Sequence, residues 1–458
     1  MAKNIRVGAH SCVVAPALKD AGLQAGDKYG RMFPELSPCE VDETAMAGLG
    51  RAASRMDATL PVVDEGLENR RIPAGFAILG QFVAHDITSD RSLLSHHAVA
   101  GELRNFRAPR LDLECLYGEG PVGNPFLYDA DDADKLLLGV NAAGRPDDLP
   151  RNRQGVALVG DPRNDVHLLI SQMHVAFLTF HNRVVDQLRE GGTPDEHVFD
   201  EARRITRWHY EWVMVNEFLP LSAGDETVAD VLNNGRKFYD PGENPTIPVE
   251  FSDAAYRFGH SQIRPTYRLN DEVGDITIFP GCLGFKPVPP EKVIDWSHLF
   301  EVPGANPPQP SRRLEASLTH ALIELPEQIV GHKEIPEHHS LALRDLQRGG
   351  ALGLPSGEAV ARQIGVESLT RAECGLEGWA GETPLWYYVL KEAEVRAGGE
   401  HLGPVGGRIV SEVLLGLLDA DPGSYRSADP GWRPTLPSAE PDRFMMADLL
   451  VFAKEPSP

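Results

Sequence analysis

The chain has 458 residues, 42% hydrophobic and 24% charged, an ordinary globular balance with room for one large domain or two to three average ones. Its formal charge of -23 argues against nucleic acid and anionic membrane as partners, since both need basic patches, and leaves a small molecule as the expected partner. No segment reaches the roughly 18 to 20 apolar residues that span a bilayer, and MAKNIRVGAHSC at the N-terminus has no apolar run of signal-peptide length. Cys12, Cys39, Cys115, Cys282 and Cys374 are scattered and form no CxxC pair. The expectation is a cytoplasmic protein with free thiols.

Residues 1 to 70 read as an irregular, Gly- and Pro-rich arm that wraps the core, and residues 71 to 455 as one domain. Helical periodicity covers 73–88, 162–190, 195–218, 227–233, 250–262, 311–322, 356–363, 382–397, 405–419 and 445–453. Strand-like alternation is confined to 274–279. The Pro-rich connections 102–128, 263–310 and 420–444 are of a length that is uncommon unless packed down or functional. With no internal repeat and no low-complexity linker, the fold class is mainly α: a single large helical domain with long loops and little β.

Three polar clusters interrupt this pattern. In the first predicted helix, Phe76, Leu79, Phe82 and Val83 form a buried stripe, yet the same helix carries Gln81, His85 and Asp86. Gln81 and His85, four apart, share one face, and Asp86 is turned about 100° away. The second cluster, Gly160 to Asp165, opens the longest helix, with Asp161 as N-cap and Pro162 at the first helical position. Arg163 is mildly unfavourable against the helix dipole there, so it is either aimed at a ligand or a solvated side chain whose stem covers apolar surface. Further along, His167, His174 and His181 recur every seven residues, roughly 10 Å apart along the axis, too far for two imidazoles to share one ion; structural roles are expected. The third cluster ends in Gly259-His260, where glycine leaves room for something flat and the imidazole is either a haem-iron ligand or a core histidine.

These clusters, in this order, resemble the animal-type haem peroxidase family, the peroxidase-cyclooxygenase superfamily, in its bacterial branch, over roughly residues 70 to 455. The resemblance rests on Gln81, His85 and Asp86, on the Gly-Asp-x-Arg turn Gly160 to Arg163, on His181-Asn182-Arg183 and on Arg257-Phe258-Gly259-His260. It implies a helical haem peroxidase domain in which His85, Arg163 and Gln81 are catalytic, His260 holds the iron, and Asp345, Arg257 and Arg348 support the cofactor. It also implies a calcium loop at Asn105 to Gly118, with Asp86, the Arg110 carbonyl, Asp112 and Glu114 as hard oxygen ligands; Ala108 replaces the usual threonine.

The implied activity is reduction of hydrogen peroxide and oxidation of a small donor, phenolic, iodide or other organic, through ferryl intermediates, with a place in the response to oxidative stress. His85 acts as base and then acid, and Arg163 stabilises charge on the departing oxygen. Asp345 stands where the family usually has Asn, which implies a more anionic His260 and a lower iron potential. Ala84, Val166 and His167 occupy the positions that bond haem covalently in vertebrate relatives, so the expected cofactor is non-covalent haem b; Asp165 is the only nearby substitute. Two alternatives remain: a fatty-acid dioxygenase, whose radical tyrosine position is Arg257 here while Tyr256 is expected to turn its phenol elsewhere, and a non-catalytic haem- or calcium-binding scaffold.

Overall fold

A computed structural model describes residues 29–58, 65–89, 103–330 and 339–454; Cys12 and most of the expected arm's first half lie outside the described residues. The helices of eight residues or more are α1 (Glu43–Gly50), α2 (Gly75–Ile87), α3 (Leu168–Glu190), α4 (Asp195–Val213), α5 (Asp225–Asn234), α6 (Leu341–Ala351), α7 (Gly357–Ile364), α8 (Leu385–Ala397), α9 (Pro404–Ala420) and α10 (Met446–Lys454). Strands among the described residues are short and pair two by two, with no larger sheet. The mainly helical architecture is therefore as the sequence predicts.

The core forms around α3, whose apolar residues face inward on nearly every turn. α2, α4 and α10 pack on it. Phe82 of α2 stacks on Phe177 of α3 with centroids 4.7 Å apart, and Tyr210 of α4 meets Phe177 edge-on at 5.7 Å. Such pairs add about 1 kcal/mol each beyond their buried area, and they fix α2 and α4 against α3. On the other side of the molecule α6 lies against α1 and α8, and α8 against α9.

Several boundaries differ from the periodicity. The long helix does not begin at Pro162: Pro162–Asp165 is a 3₁₀ turn, His167 is extended, and α3 starts at Leu168. The cause is tertiary. Residues 282–285 pair against this stretch through Leu168 N to Cys282 O (2.7 Å), Gly284 N to Val166 O (3.1 Å) and Phe285 N to Asp165 O (2.9 Å), which holds the chain out of the helix. A side chain on Gly284 would place its Cβ 2.1 Å from the Asp165 carbonyl. Residues 250–262 split into an α turn, Val249–Ser252, and a 3₁₀ segment, Ala255–Gln262.

The predicted helix 311–322 is mostly absent. Pro310–Arg312 instead pairs antiparallel with Glu68–Pro73, and only His320–Ile323 is helical. Within the expected irregular arm, α1 is a regular helix capped by Asp42, whose side chain accepts from Thr44 N. The helix α6, absent from the sequence expectation, is capped by Ser340 and buries Arg344, Asp345 and Arg348. Near 274–279 the expected strand exists as Ile276–Thr277, paired with Thr266–Tyr267.

Candidate active site

One cavity gathers the residues of all three clusters. Gln81, Ala84 and His85 reach it from α2, Arg163 and His167 from the 3₁₀ turn and extended residues that precede α3, and Tyr256 to His260 from the 3₁₀ segment. Phe76, Phe218, Phe258, Ile263 and Phe279 make much of the remaining wall apolar. Phe218 ends a π-helical turn, Met214–Phe218, that continues α4, a distortion often found beside functional sites.

On the α2 side, His85 is buried and its Nδ1 lies 2.7 Å from Asn164 Oδ1. Asn164 Nδ2 lies 2.9 Å from His174 Nδ1. In this orientation Asn164 accepts from His85 and donates to His174, so the His85 proton sits on Nδ1 and its Nε2 lone pair is left for chemistry. Burial first, and then the Arg163 charge, lower the His85 pKa from 6.5 to about 3. The ring is therefore neutral throughout the physiological range.

Arg163 is clamped by a carboxylate. Its Nε and Nη2 meet the two oxygens of Asp161 at 3.0 and 2.8 Å, and Nη2 also donates to the carbonyls of His85 (3.1 Å) and Thr88. Asp161 is buried and also receives Arg107 through Nε and Nη2. Burial alone would raise the Asp161 pKa, but the guanidiniums hold it well below the usual carboxylate range. Nη1 of Arg163 makes no hydrogen bond among the described residues. The solvated reading of Arg163 is thus set aside: the side chain is 11% exposed and its residue lines the cavity.

Gln81 is oriented by a histidine. His167 Nδ1 accepts from Ile170 N as the N-cap of α3, so Nε2 carries the proton and donates to Gln81 Oε1 at 2.8 Å. The amide nitrogen of Gln81 is then the group left to face a ligand. His181 is bonded to Tyr117 and to the Asp134 carbonyl, and His174 to Asn164; His167, expected to be structural like them, instead lines the cavity.

Across the cavity, His260 Nδ1 lies 2.7 Å from Asp345 Oδ2. Asp345 is fully buried; burial would raise its pKa, but His260 and Arg257 outweigh that and lower it. Arg257 spans two carboxylates, Asp345 Oδ1 through Nη1 and Asp253 Oδ1 at 2.7 Å through Nη2. Arg348 does not line the cavity, in contrast to its expected cofactor role: it is 1% exposed, with Nε 3.4 Å from Asp253. Tyr256 also departs from expectation. Its ring stacks on Phe251 at 4.7 Å, it lines the cavity, and its buried hydroxyl has no hydrogen-bond partner among the described residues.

The residues present fit a haem. The cavity wall is mostly apolar, as in such sites, and a Cβ on Gly259 would meet nothing within 4 Å. His260 on one wall offers an imidazole whose Nδ1 is already bonded to a carboxylate, the arrangement that orients a metal-bound histidine. The calcium set fits only in part. Asp86 and Asp112 are neighbours; burial first and mutual repulsion next raise the pKa of Asp86, and burial raises that of Asp112. Asp86 Oδ1 is buried without a partner among the described residues. Glu114, however, is engaged by Arg107 Nη1 (2.8 Å) and Ala108 N (3.1 Å), and Arg110 is exposed. No three acidic, His or Cys side chains converge as a metal site among the described residues.

The fold and this cavity define a mainly helical protein with a buried histidine- and arginine-lined site. The family model for animal haem peroxidase matches residues 94–373, and the chain belongs to that family. Chorion peroxidase of Aedes aegypti is 26% identical over 395 residues, covering 82% of this chain and 45% of that protein; the chain thus spans less than half of that relative's length. Among solved structures, peroxidase A from Dictyostelium discoideum aligns with a TM-score of 0.64 at 16% identity, covering 87% of this chain and 88% of that one. A fatty acid alpha-dioxygenase from Arabidopsis thaliana aligns at 0.59 and 16%, covering 85% and 71%. At these identities the structures show a shared fold.

Proposed function

We propose that the chain is a haem-dependent peroxidase that reduces hydrogen peroxide and oxidises a small donor, phenolic, iodide or other organic. The observation that carries this reading is the meeting, in one cavity, of a neutral His85 and a clamped Arg163 with the carboxylate-backed His260. Haem, when bound, supplies the iron and the redox equivalents. His85 Nε2 takes the peroxide proton and returns it to the departing oxygen. Arg163, fixed by Asp161, offers a preorganised cation to the charge that develops there.

The haem is non-covalent in this proposal. Ala84 lines the cavity and carries no carboxylate, Val166 is buried, and both oxygens of Asp165 are taken by Arg151 at 2.7 and 2.8 Å. Acidified organic solvent is expected to extract the haem completely; haem staying with the denatured chain would contradict this. Asp86 and Asp112 are the two side chains we retain as calcium ligands, because an adjacent buried carboxylate pair calls for a proton or a cation. The free thiols of Cys39, Cys115, Cys282 and Cys374 support the cytoplasmic placement. No described helix is long and apolar enough to cross a membrane.

The test is the absorption spectrum of haem-supplied protein before and after one equivalent of hydrogen peroxide. We expect a stable Soret band that shifts on peroxide addition and is lost or altered in His260→Ala. No stable Soret band in the wild type would defeat the reading and favour the scaffold alternative. Tyr256 in the cavity wall favours a second reading, a fatty-acid dioxygenase; oxygen uptake with a polyunsaturated fatty acid in place of peroxide turnover would select it.

A further inference from the structure

Trp386 of α8 stands behind His260. The two rings meet edge-on with centroids 6.4 Å apart, and Trp386 is 2% exposed. Its Nε1 donates to the Arg257 carbonyl at 3.3 Å, so the indole is tied to the same segment that carries His260. Trp386 and Asp345 together line a small cleft that also touches Cys39, Val41 and Met46. Those three residues in turn line an open groove at the surface, whose rim carries Glu40, Asp42 and Glu43. An oxidisable ring thus lies between the back of the cavity and solvent, on the side away from His85 and Arg163. The mechanism above gives it no task.

We infer that Trp386 is a redox relay, passing single electrons from a donor in the surface groove to the His260 side of the cavity, so that donors too large to enter the cavity are also oxidised. The inference rests on the peroxidase reading. The oxidant is peroxide-oxidised haem. Trp386 gives up one electron, keeping its Nε1 proton in the hydrogen bond to the Arg257 carbonyl. The resulting indole cation shares the lining of that cleft with Asp345, whose buried negative charge favours it in a low-dielectric setting. One electron from the donor then restores the indole. Two donor electrons and two protons convert one hydrogen peroxide to two waters.

The experiment uses haem-loaded protein treated with one equivalent of hydrogen peroxide, freeze-quenched and examined by electron paramagnetic resonance. We expect an organic radical whose signal narrows when tryptophan is ring-deuterated and which is absent from Trp386→Phe. In parallel, oxidation of ferrocytochrome c, a bulky cationic probe suited to the acidic rim, is expected to fall at least tenfold relative to iodide in that variant. A signal that narrows only with deuterated tyrosine, or that persists in Trp386→Phe, overturns the relay. If Trp386→Phe does not retain haem, the isotope result in wild type decides alone, and absence of narrowing on tryptophan deuteration overturns the proposal. Absence of any Soret change with peroxide in wild type defeats the peroxidase reading itself, and is seen before a radical is sought.

Discussion

His85→Ala is expected to slow the reaction with hydrogen peroxide by roughly 10²- to 10⁴-fold while leaving the Soret band in place, because it removes the proton acceptor without touching His260. The pH dependence is the sharper expectation. With its pKa lowered to about 3 by burial and by Arg163, His85 stays unprotonated and competent across the acid side. A lowered histidine pKa extends the basic form downward in pH, so the second-order rate constant is expected to be flat from pH 8 to pH 5. A base with an ordinary histidine pKa near 6.5 would lose about tenfold by pH 5.5. Stopped-flow rates over that range decide between the two. Asn164→Ala is expected to slow the reaction without bringing back a pH dependence, since it frees the Nδ1 proton that Asn164 fixes while its hydrogen bond raises rather than lowers the His85 pKa.

The second large effect is expected on the other wall. Asp345→Asn should raise the iron reduction potential, because an amide facing His260 Nδ1 withdraws the anionic character that the carboxylate lends the imidazole. Partners of metal-bound histidines commonly change affinity or activity by 10- to 100-fold on mutation. Taken as a change in relative ferric and ferrous stabilisation, that is a rise of roughly 60 to 120 mV for one electron. Redox titration of wild type and variant gives the answer, and an unchanged potential would sink the argument. Folding stability should also fall, since Arg257 would lose one of its two carboxylates in a buried setting; Asp253 at 2.7 Å keeps it partly paired.

The parts of the molecule that were legible in the sequence share a physical reason. α2, α3, α4, α8, α9 and α10 bury long apolar faces, so their periodicity shows through. His85, Arg163 and His260 stood out as polar residues in apolar surroundings, but spacing alone left functional and structural readings open, and their roles came from the family resemblance. α6 was not, because its buried face carries Arg344, Asp345 and Arg348, and buried ion pairs read as a solvated face. Residues 311–322 failed for the opposite reason: their helical pattern is overridden by pairing with Glu68–Pro73. The Asn164 link to His85 joins residues from separate segments, and no spacing within one segment announces it, whereas Asp253 and Arg257 stand four apart in one segment. The one available signal was chemical: an amide immediately after Arg163, and an acid four residues before Arg257.

The pairing of residues 282–285 with 165–168 bears on the order in which the site is built. Arg163 and His167 take their places only once a stretch from the middle of the long 263–310 connection has docked against them, and Gly284 is the residue that lets the two backbones come that close. Local helix formation in α3 is fast, whereas such distant closure is slow. The Arg163 side of the cavity is therefore expected to form late in folding. The wall that carries Arg163 and His167 is held by a loop, beside the helix α2 that supplies Gln81 and His85, and a cofactor arriving during synthesis is expected to meet a finished pocket only after that connection has been made.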